Sequence, residues 1–390
     1  MKNNLKILLV EDSETDADLL TRFLKREGIN FVHSRVWSKD GFIKALKDNI
    51  YDIIIADHTL PQFSGMDAFR IAKITNRNIP FILLTGTVSE KTLSEYAKDG
   101  IDDYFLKDNL LRLPSAIENV ISKKKIEQLH NELEIVHKQI KDSINYAKTI
   151  QNAMLPDTSL FNEIFPESFG IYKPKDVLSG DFYWFKKEAN IFFVAAADCT
   201  GHGIPGALMS MIGIEKLNNL VLKTKEPSEV LTQLNKSISS ALSQSSLYER
   251  SQDGMDIALC SIDKENRIIK FSGANRPLWI IRNGQKEVEE IKGTKKAIGG
   301  FDNDNSSFFE EHEIQLQKND TIYIFSDGFT DLFGGEFFKK ITTKRFKQLL
   351  IDIQDKTMSQ QEKHLNDYIE KWKAGAEQVD DILIIGVRLD

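Results

Sequence analysis

The sequence predicts two folded units of different class. A doubly wound α/β domain with five parallel strands is expected over residues 1–121, and an α+β layered β-sandwich over 156–390, with a coiled-coil helix over 122–155 between them. Three observations lead there. Short apolar runs alternate with amphipathic stretches between residues 5 and 121, as βα units require. Apolar or small residues then recur at alternating three- and four-residue steps from Ile126 to Met154. Beyond residue 156, strand-like runs follow one another directly and the helical stretches are grouped, which a second parallel sheet would not show.

In the first unit the predicted strands are Leu5–Val10, Phe31–Val36, Ile53–Ala56, Phe81–Leu84 and Asp103–Leu106, with helices such as Thr15–Glu27 and Lys39–Asp48 between them. In a doubly wound sheet the chemistry gathers at the carboxyl ends of the strands. The polar residues there are Glu11, Asp12, Asp57, Thr85 and Lys107, all expected to face one crevice. In the connector, Ile126, Leu129, Leu133, Val136, Ile140, Ser143, Ala147, Ile150 and Met154 form the heptad seam, flanked by Lys, Glu and Gln. A single helix packed on its own domain is the alternative; the regularity favours two chains, hence a homodimer. In the second unit strands are expected at Ile191–Ala197, Ile257–Ile262, Ile268–Ser272, Leu278–Ile281, Thr321–Phe325 and Ile382–Val387. Helices are expected at Gly206–Leu222, Pro227–Gln244 and Gln361–Lys373, hairpin turns at Asn275–Pro277 and Arg282–Gly284, and a mobile helical insertion at 333–378.

Bulk properties narrow the function. The chain is 41% hydrophobic and 28% charged, with a net charge of −7, so neither nucleic acid nor an anionic membrane is an expected partner. Two cysteines argue against a disulfide scaffold. The first ten residues lack the shape of a signal peptide, and no apolar run approaches the length that spans a bilayer, so a cytoplasmic location is expected.

The most informative residues are four aspartates in four separate motifs. They are Asp181 in Ser-Gly-Asp-Phe-Tyr-Trp, Asp198 in Ala-Asp-Cys-Thr-Gly-His-Gly, Asp327 in Phe-Ser-Asp-Gly-Phe-Thr-Asp, and Asp380 in Val-Asp-Asp-Ile-Leu. Each adjoins a strand-like run. Carboxylates gathered in this way repel one another unless a cation lies between them, and hard divalent ions suit oxygen ligands. A pair of Mg²⁺ or Mn²⁺ ions bridged by one carboxylate can lower the pKa of a water for in-line attack on a phosphate monoester. The N-terminal acids read similarly. Glu11, Asp12 and Asp57 can hold one Mg²⁺, Asp57 can accept a phosphoryl group, and Lys107 and Thr85 can meet its oxygens.

Residues 5–121 resemble a response-regulator receiver domain, on Ile53-Ile54-Ile55-Ala56-Asp57 and Asp103-Tyr104-Phe105-Leu106-Lys107. The resemblance implies a flavodoxin-like fold, a histidine kinase or phosphotransfer protein as phosphodonor, and Tyr104 as the switch aromatic that moves with Thr85. The sequence departs from that family in Asp108, where a proline usually follows the lysine, and in Gly86, where alanine is usual. Residues 145–390 resemble the metal-dependent protein phosphatase (PPM) family in its SpoIIE/RsbU-like branch. The resemblance rests on the four aspartate motifs and on Tyr146-Ala147-Lys148-Thr149-Ile150-Gln151 leading into Met154-Leu155-Pro156, with Ser179-Gly180-Asp181 where Gly-Gly-Asp is common. It implies that Asp198 bridges two metals, that the Cys199 carbonyl is a ligand, that Asp181, Asp327 and Asp380 complete the shell, and that Asp381 lies behind it. The implied substrate is a phosphorylated anti-sigma-factor antagonist. His202 is a candidate to protonate the leaving oxygen, or else to hydrogen-bond a metal ligand and hold the loop. Asn275 reads as a turn residue; Arg276 is weighed as a substrate contact but is not counted among the site residues. The alternative function is a non-catalytic docking scaffold, which is expected to lack at least one of the acids.

Overall fold

The computed structural model describes residues 4–61, 63–75, 78–86, 98–243, 254–299 and 308–389. The chain divides into two compact units, 1–139 and 140–390.

In the first unit β1 (Leu5–Val10), β2 (Phe31–Val36), β3 (Ile53–Asp57), β4 (Phe81–Thr85) and β5 (Asp103–Leu106) form a parallel sheet in the order β2-β1-β3-β4-β5. The helices α1 (Glu14–Arg26), α2 (Lys39–Asp48) and α3 (Gly65–Ile74) start at Ser13, Ser38 and Ser64. Each serine hydroxyl accepts from a backbone N–H of the first turn, the usual reason serine begins helices. The central strands are apolar on both faces because helices cover both. Ile7, Leu9, Ile53, Ile55, Ile82 and Leu84 pack to one side, and Leu8, Val10, Ile54, Ala56 and Leu83 to the other. Strand order reverses beside β1, which opens a crevice at the carboxyl ends of β1 and β3. Residues 87–97, between β4 and β5, lie outside the described residues.

Helix α4 (Leu113–Met154) is continuous over 42 residues and begins earlier than the predicted connector. Its first turns bury Leu113, Ala116, Ile117 and Val120 in the core of the first unit. The last helix of the α/β domain and the connector are therefore one element. Further along, Ile126, Leu129, Leu133, Val136 and Ile140 are exposed.

The second unit adds α5 (Thr158–Ile164) and two antiparallel sheets. One has the order β13-β10-β9-β8-β7, from His312–Gln315, Ile268–Ala274, Met255–Asp263, Ile191–Cys199 and Phe182–Glu188. The other has the order β12-β11-β14-β17-β6, from Glu289–Ile291, Leu278–Ile281, Thr321–Phe325, Ile382–Arg388 and Ser168–Lys173. The strand alternation explains the layers. In β8, Phe192, Val194 and Ala196 face the other sheet, while Phe193, Ala195 and Ala197 face α6 (Gly203–Leu220) and α7 (Pro227–Ser243). In β14, Ile322 and Ile324 point between the sheets, while Tyr323 and Phe325 point toward α9 (Thr343–Asp352) and α10 (Met358–Lys373). Strands buried on both faces lose the polar alternation of a half-exposed sheet.

Two expectations are corrected. Asn275–Pro277 is not a hairpin turn, because β10 and β11 belong to different sheets and the segment carries the chain from one layer to the other. Residues 333–378 are not a helical insertion standing apart. They include a short hairpin, β15 (Phe333–Gly334) and β16 (Lys339–Lys340), and both helices bury apolar faces, with Phe346, Leu350, Met358, Leu365 and Ile369 in the core.

Candidate active site and acidic crevice

The antiparallel registers bring the second unit's acids to one end of both sheets. Asp198 lies near the end of β8, opposite Asp256 at the start of β9. Asp181 immediately precedes β7, whose first residue pairs with Ala197. Asp327 follows β14, and Asp380 precedes β17, the antiparallel neighbour of β14. Asp198, Cys199, His202, Asp327 and Asp380 line one open cavity of about 330 Å³, together with Asp256 and Arg276. Asp181 is buried behind it, 2% exposed, and feels the Asp198 charge.

Close backbone packing fixes these loops. A side chain at Gly180 would strike the Gly201 carbonyl, and one at Gly206, in α6, would strike that same oxygen. The Asp381 carboxylate accepts from the backbone N–H of Lys175 and of Gly180, both at 2.7 Å, and of Asp181 at 3.4 Å, so it holds the turn carrying Asp181. Gln151, near the end of α4, reaches the same turn. Its amide donates to the Ser179 carbonyl at 2.6 Å and to the Ser210 hydroxyl of α6 at 2.9 Å. His202 immediately precedes α6 without a side-chain capping bond, and its Nδ1 lies 3.0 Å from Asp176 Oδ2. The Cys199 thiol is fully buried, and burial pushes its pKa up, so it stays a neutral thiol.

Arg276, set aside by the sequence reading, is central. Its guanidinium lies 2.5 Å from Asp198 Oδ2, 2.8 Å from Asp327 Oδ2 and 3.5 Å from Asp256 Oδ2. Asn275, in a left-handed turn at φ 58°, donates to Asp256 at 2.8 Å. Asp256 was missed as well. The available signal was its place beside Gly254, at the start of a strand.

The charge balance is strained despite Arg276. Burial raises the Asp198 pKa to about 7; Arg276 opposes the shift and Asp327 adds to it. Burial likewise raises Asp181, Asp256 and Asp380. Asp181 Oδ2 is buried with no hydrogen-bond partner among the described residues. An all-oxygen donor set with an orphaned carboxylate oxygen fits hard divalent cations.

The folded-state pKa of Asp198 lies above the ordinary 3.8, so its stabilising protonation is complete below that value and lost as pH climbs through about 7. In chelating buffer, the second unit's thermal midpoint is expected to fall across that window more steeply than in Asp198→Asn. Equal slopes in scanning calorimetry would contradict the electrostatic reading.

In the first unit, Glu11, Asp12 and Asp57 each offer a carboxylate oxygen, all within 4.8 Å of one another, a spacing that suits one cation. Lys107 Nζ lies 3.0 Å from Glu11 Oε2, 2.9 Å from Asp16 Oδ2 and 3.2 Å from Asp57 Oδ2. Burial alone would lower the lysine's pKa, but bonds to Asp16 and Glu11 and the Asp57 charge hold it above its ordinary value. Asp16 was not anticipated. Thr85 is buried at the end of β4, and Tyr104 is on the outer side of β5, 36% exposed. Glu11 and Asp12 follow β1, Lys107 follows β5, and Asp57 and Thr85 are the last residues of β3 and β4.

These features define a response-regulator receiver followed by a PP2C-type phosphatase fold. The chain belongs to the SpoIIE family: the profile of Stage II sporulation protein E (SpoIIE) matches residues 189–390, and that of the response regulator receiver domain matches residues 7–118. The phosphoserine phosphatase RsbU of Bacillus subtilis is 28% identical over 205 residues, 52% of this chain and 58% of RsbU. The SiaA-PP2C domain of Pseudomonas aeruginosa is 32% identical with a TM-score of 0.58, covering 65% of this chain and 99% of that domain. On the receiver side, the cell cycle transcriptional regulator CtrA of Caulobacter vibrioides is 30% identical over 103 residues, 26% of this chain and 44% of CtrA. The chain thus spans about half the length of these curated relatives. Among the described residues, no helix is long and apolar enough to cross a membrane.

Proposed function

We propose that this chain is a cytoplasmic two-component response regulator whose receiver, phosphorylated on Asp57, controls a metal-dependent protein serine/threonine phosphatase. The phosphodonor is a histidine kinase or phosphotransfer protein. The substrate is a phosphorylated anti-sigma-factor antagonist, by analogy with the SpoIIE and RsbU relatives. The convergence of Asp181, Asp198, Asp327 and Asp380 at one end of the two sheets carries the reading.

The functional parts are the receiver (1–121), the connector (122–155) and the phosphatase (156–390). In the receiver, Glu11, Asp12 and Asp57 hold Mg²⁺, while Lys107 and Thr85 take the phosphoryl oxygens and Tyr104 turns inward with Thr85. In the phosphatase, Asp181, Asp198, Asp327, Asp380 and the Cys199 carbonyl hold two Mn²⁺ or Mg²⁺. When bound, such ions acidify a water and neutralise phosphoryl charge. His202, steadied by Asp176, protonates the leaving oxygen, and Arg276 is positioned to meet phosphoryl oxygens. The exposed apolar seam of α4 pairs two chains in a homodimer. Gln151 supplies the route of control, since a shift of α4 moves its bonds to Ser179 and Ser210, next to Asp181.

Acetyl phosphate tests the receiver half. Wild-type protein is expected to take up one acid-stable, base-labile phosphoryl group and Asp57→Asn none, by phosphate-affinity electrophoresis. Beryllofluoride is expected to change aryl phosphate turnover in the wild type by more than about fivefold, with no change in Asp57→Asn. Equal response of both proteins would refute control through Asp57.

A further inference from the structure

Asp327 immediately precedes α8 (Gly328–Asp331), a single helical turn that leads directly into the β15–β16 hairpin. The hairpin is fastened back onto both that turn and α10. The Thr342 N–H donates to the Thr330 carbonyl at 3.2 Å, and Lys340 reaches Asp331 at 2.7 Å. Gly335 N–H donates to the Trp372 carbonyl at 2.9 Å, and Trp372 Nε1 donates to the Leu332 carbonyl at 3.1 Å. A side chain at Gly334 would collide with the Trp372 carbonyl, so the approach tolerates only glycine. Arg345 lies over the Trp372 ring, 4.3 Å from its centroid.

A concavity of about 610 Å³ opens beside this hairpin. Lys339, Lys340, Lys344 and Arg345 line it, against one carboxylate, Glu336. Lys340 is paired with Asp331, whereas Lys339 and Lys344 have no ion-pair partner among the described residues. Phe337 and Phe338 stand 75% and 64% exposed at the hairpin tip, with the Lys339 ammonium 5.8 Å from the Phe337 ring centroid. On a chain of net charge −7, this is a local reversal of sign with an apolar edge.

We propose that this surface docks an acidic segment of the phosphoprotein substrate and so selects which phosphoserine or phosphothreonine reaches the acid cluster; this rests on the phosphatase reading above. Charge complementarity identifies the occupant. Unpaired lysines in a concavity meet carboxylates of an inserted peptide strand or loop, and the phenylalanines cover its apolar side chains. A membrane would meet a flat or convex face, and a polyanionic nucleic acid would be repelled by the rest of the chain. The hairpin is tied to α8, the turn that directly follows Asp327, so the docking surface and the acid cluster are linked by one short stretch of chain.

The test uses the full chain with Mn²⁺ and the double variant Lys339→Glu/Lys344→Glu. Binding is read by fluorescence anisotropy of a labelled Glu/Asp-rich phosphoserine peptide and its Ala/Gly-flanked counterpart. The wild type is expected to bind the acidic peptide about tenfold more tightly, with the preference falling as salt rises. The double variant is expected to lose that preference and to keep its para-nitrophenyl phosphate turnover. Equal binding of the two peptides by the wild type, or an unchanged preference in the variant, overturns the proposal. So does lysine-dependent binding to phosphatidylglycerol vesicles without any peptide preference. Absence of para-nitrophenyl phosphate hydrolysis by the wild type would instead count against the phosphatase reading, while the anisotropy still decides the docking.

Discussion

Asp198→Asn is expected to lower Mn²⁺-dependent hydrolysis of para-nitrophenyl phosphate about a thousandfold or more, with the fold retained. Asp198 sits near the end of β8, a strand buried on both faces, so its backbone is fixed by the core and not by the loop that follows. Its carboxylate stands among Asp256, Asp327 and Arg276 at the cavity wall. An amide has nearly the same shape but carries no charge and bridges cations poorly. Loss of a bridging ligand forfeits several kcal/mol of transition-state stabilisation, and about 4 kcal/mol corresponds to a thousandfold. Removing a buried acid with a raised pKa also relieves repulsion, so the fold should not suffer greatly. Steady-state kinetics beside circular dichroism and acetyl phosphate labelling separates the two effects. Wild-type turnover by a well-folded Asp198→Asn protein would refute the site assignment.

Arg276→Met carries the second large effect, on stability. The guanidinium joins Asp198 and Asp327 and neighbours Asp256, and its side chain is only 12% exposed. Methionine roughly keeps the volume and removes the charge, leaving three partly buried acids without their nearest cation. Breaking a buried ion pair from one side costs about 3 kcal/mol or more. For a unit of this size that lowers the melting midpoint by roughly 6–12 °C. The loss is expected in chelating buffer and is expected to shrink when Mn²⁺ is added, because bound cations then balance the carboxylates and stabilise the native state by mass action. Calorimetry of the second unit's transition, with EDTA and with Mn²⁺, measures both. An unchanged midpoint in EDTA would mean that Arg276 does not offset the repulsion.

The receiver fold was legible because its evidence is local. β1, β3, β4 and β5 each end at or beside a polar residue, and the order of βα units implies the sheet. Glu11, Asp12, Asp57, Thr85 and Lys107 could therefore be placed by strand order alone. The sandwich was less legible. β7 and β6 went unassigned, and Asn275–Pro277 was misread, since a short turn between two apolar runs looks the same whether it stays in one sheet or changes layer. The four aspartates were visible through their flanking strands and turn residues. Asp256 and the pairing of Arg276 with the acids were not, because they arise from the cross-strand register of β8 with β9 and from the layer change after β10. Asp16 was hidden for a similar reason: it lies in the first turn of α1 and meets Lys107 only once the sheet is assembled.

In the proposed site, acids distant in sequence form one divalent-cation centre around Asp198. Anomalous diffraction from crystals of the chain grown with Mn²⁺ tests it most directly. Two manganese peaks about 3.5–4 Å apart, with Asp198 as their shared ligand, are the predicted result. Manganese found only beside Glu11, Asp12 and Asp57, with Arg276 still joining Asp198 to Asp327, would contradict it.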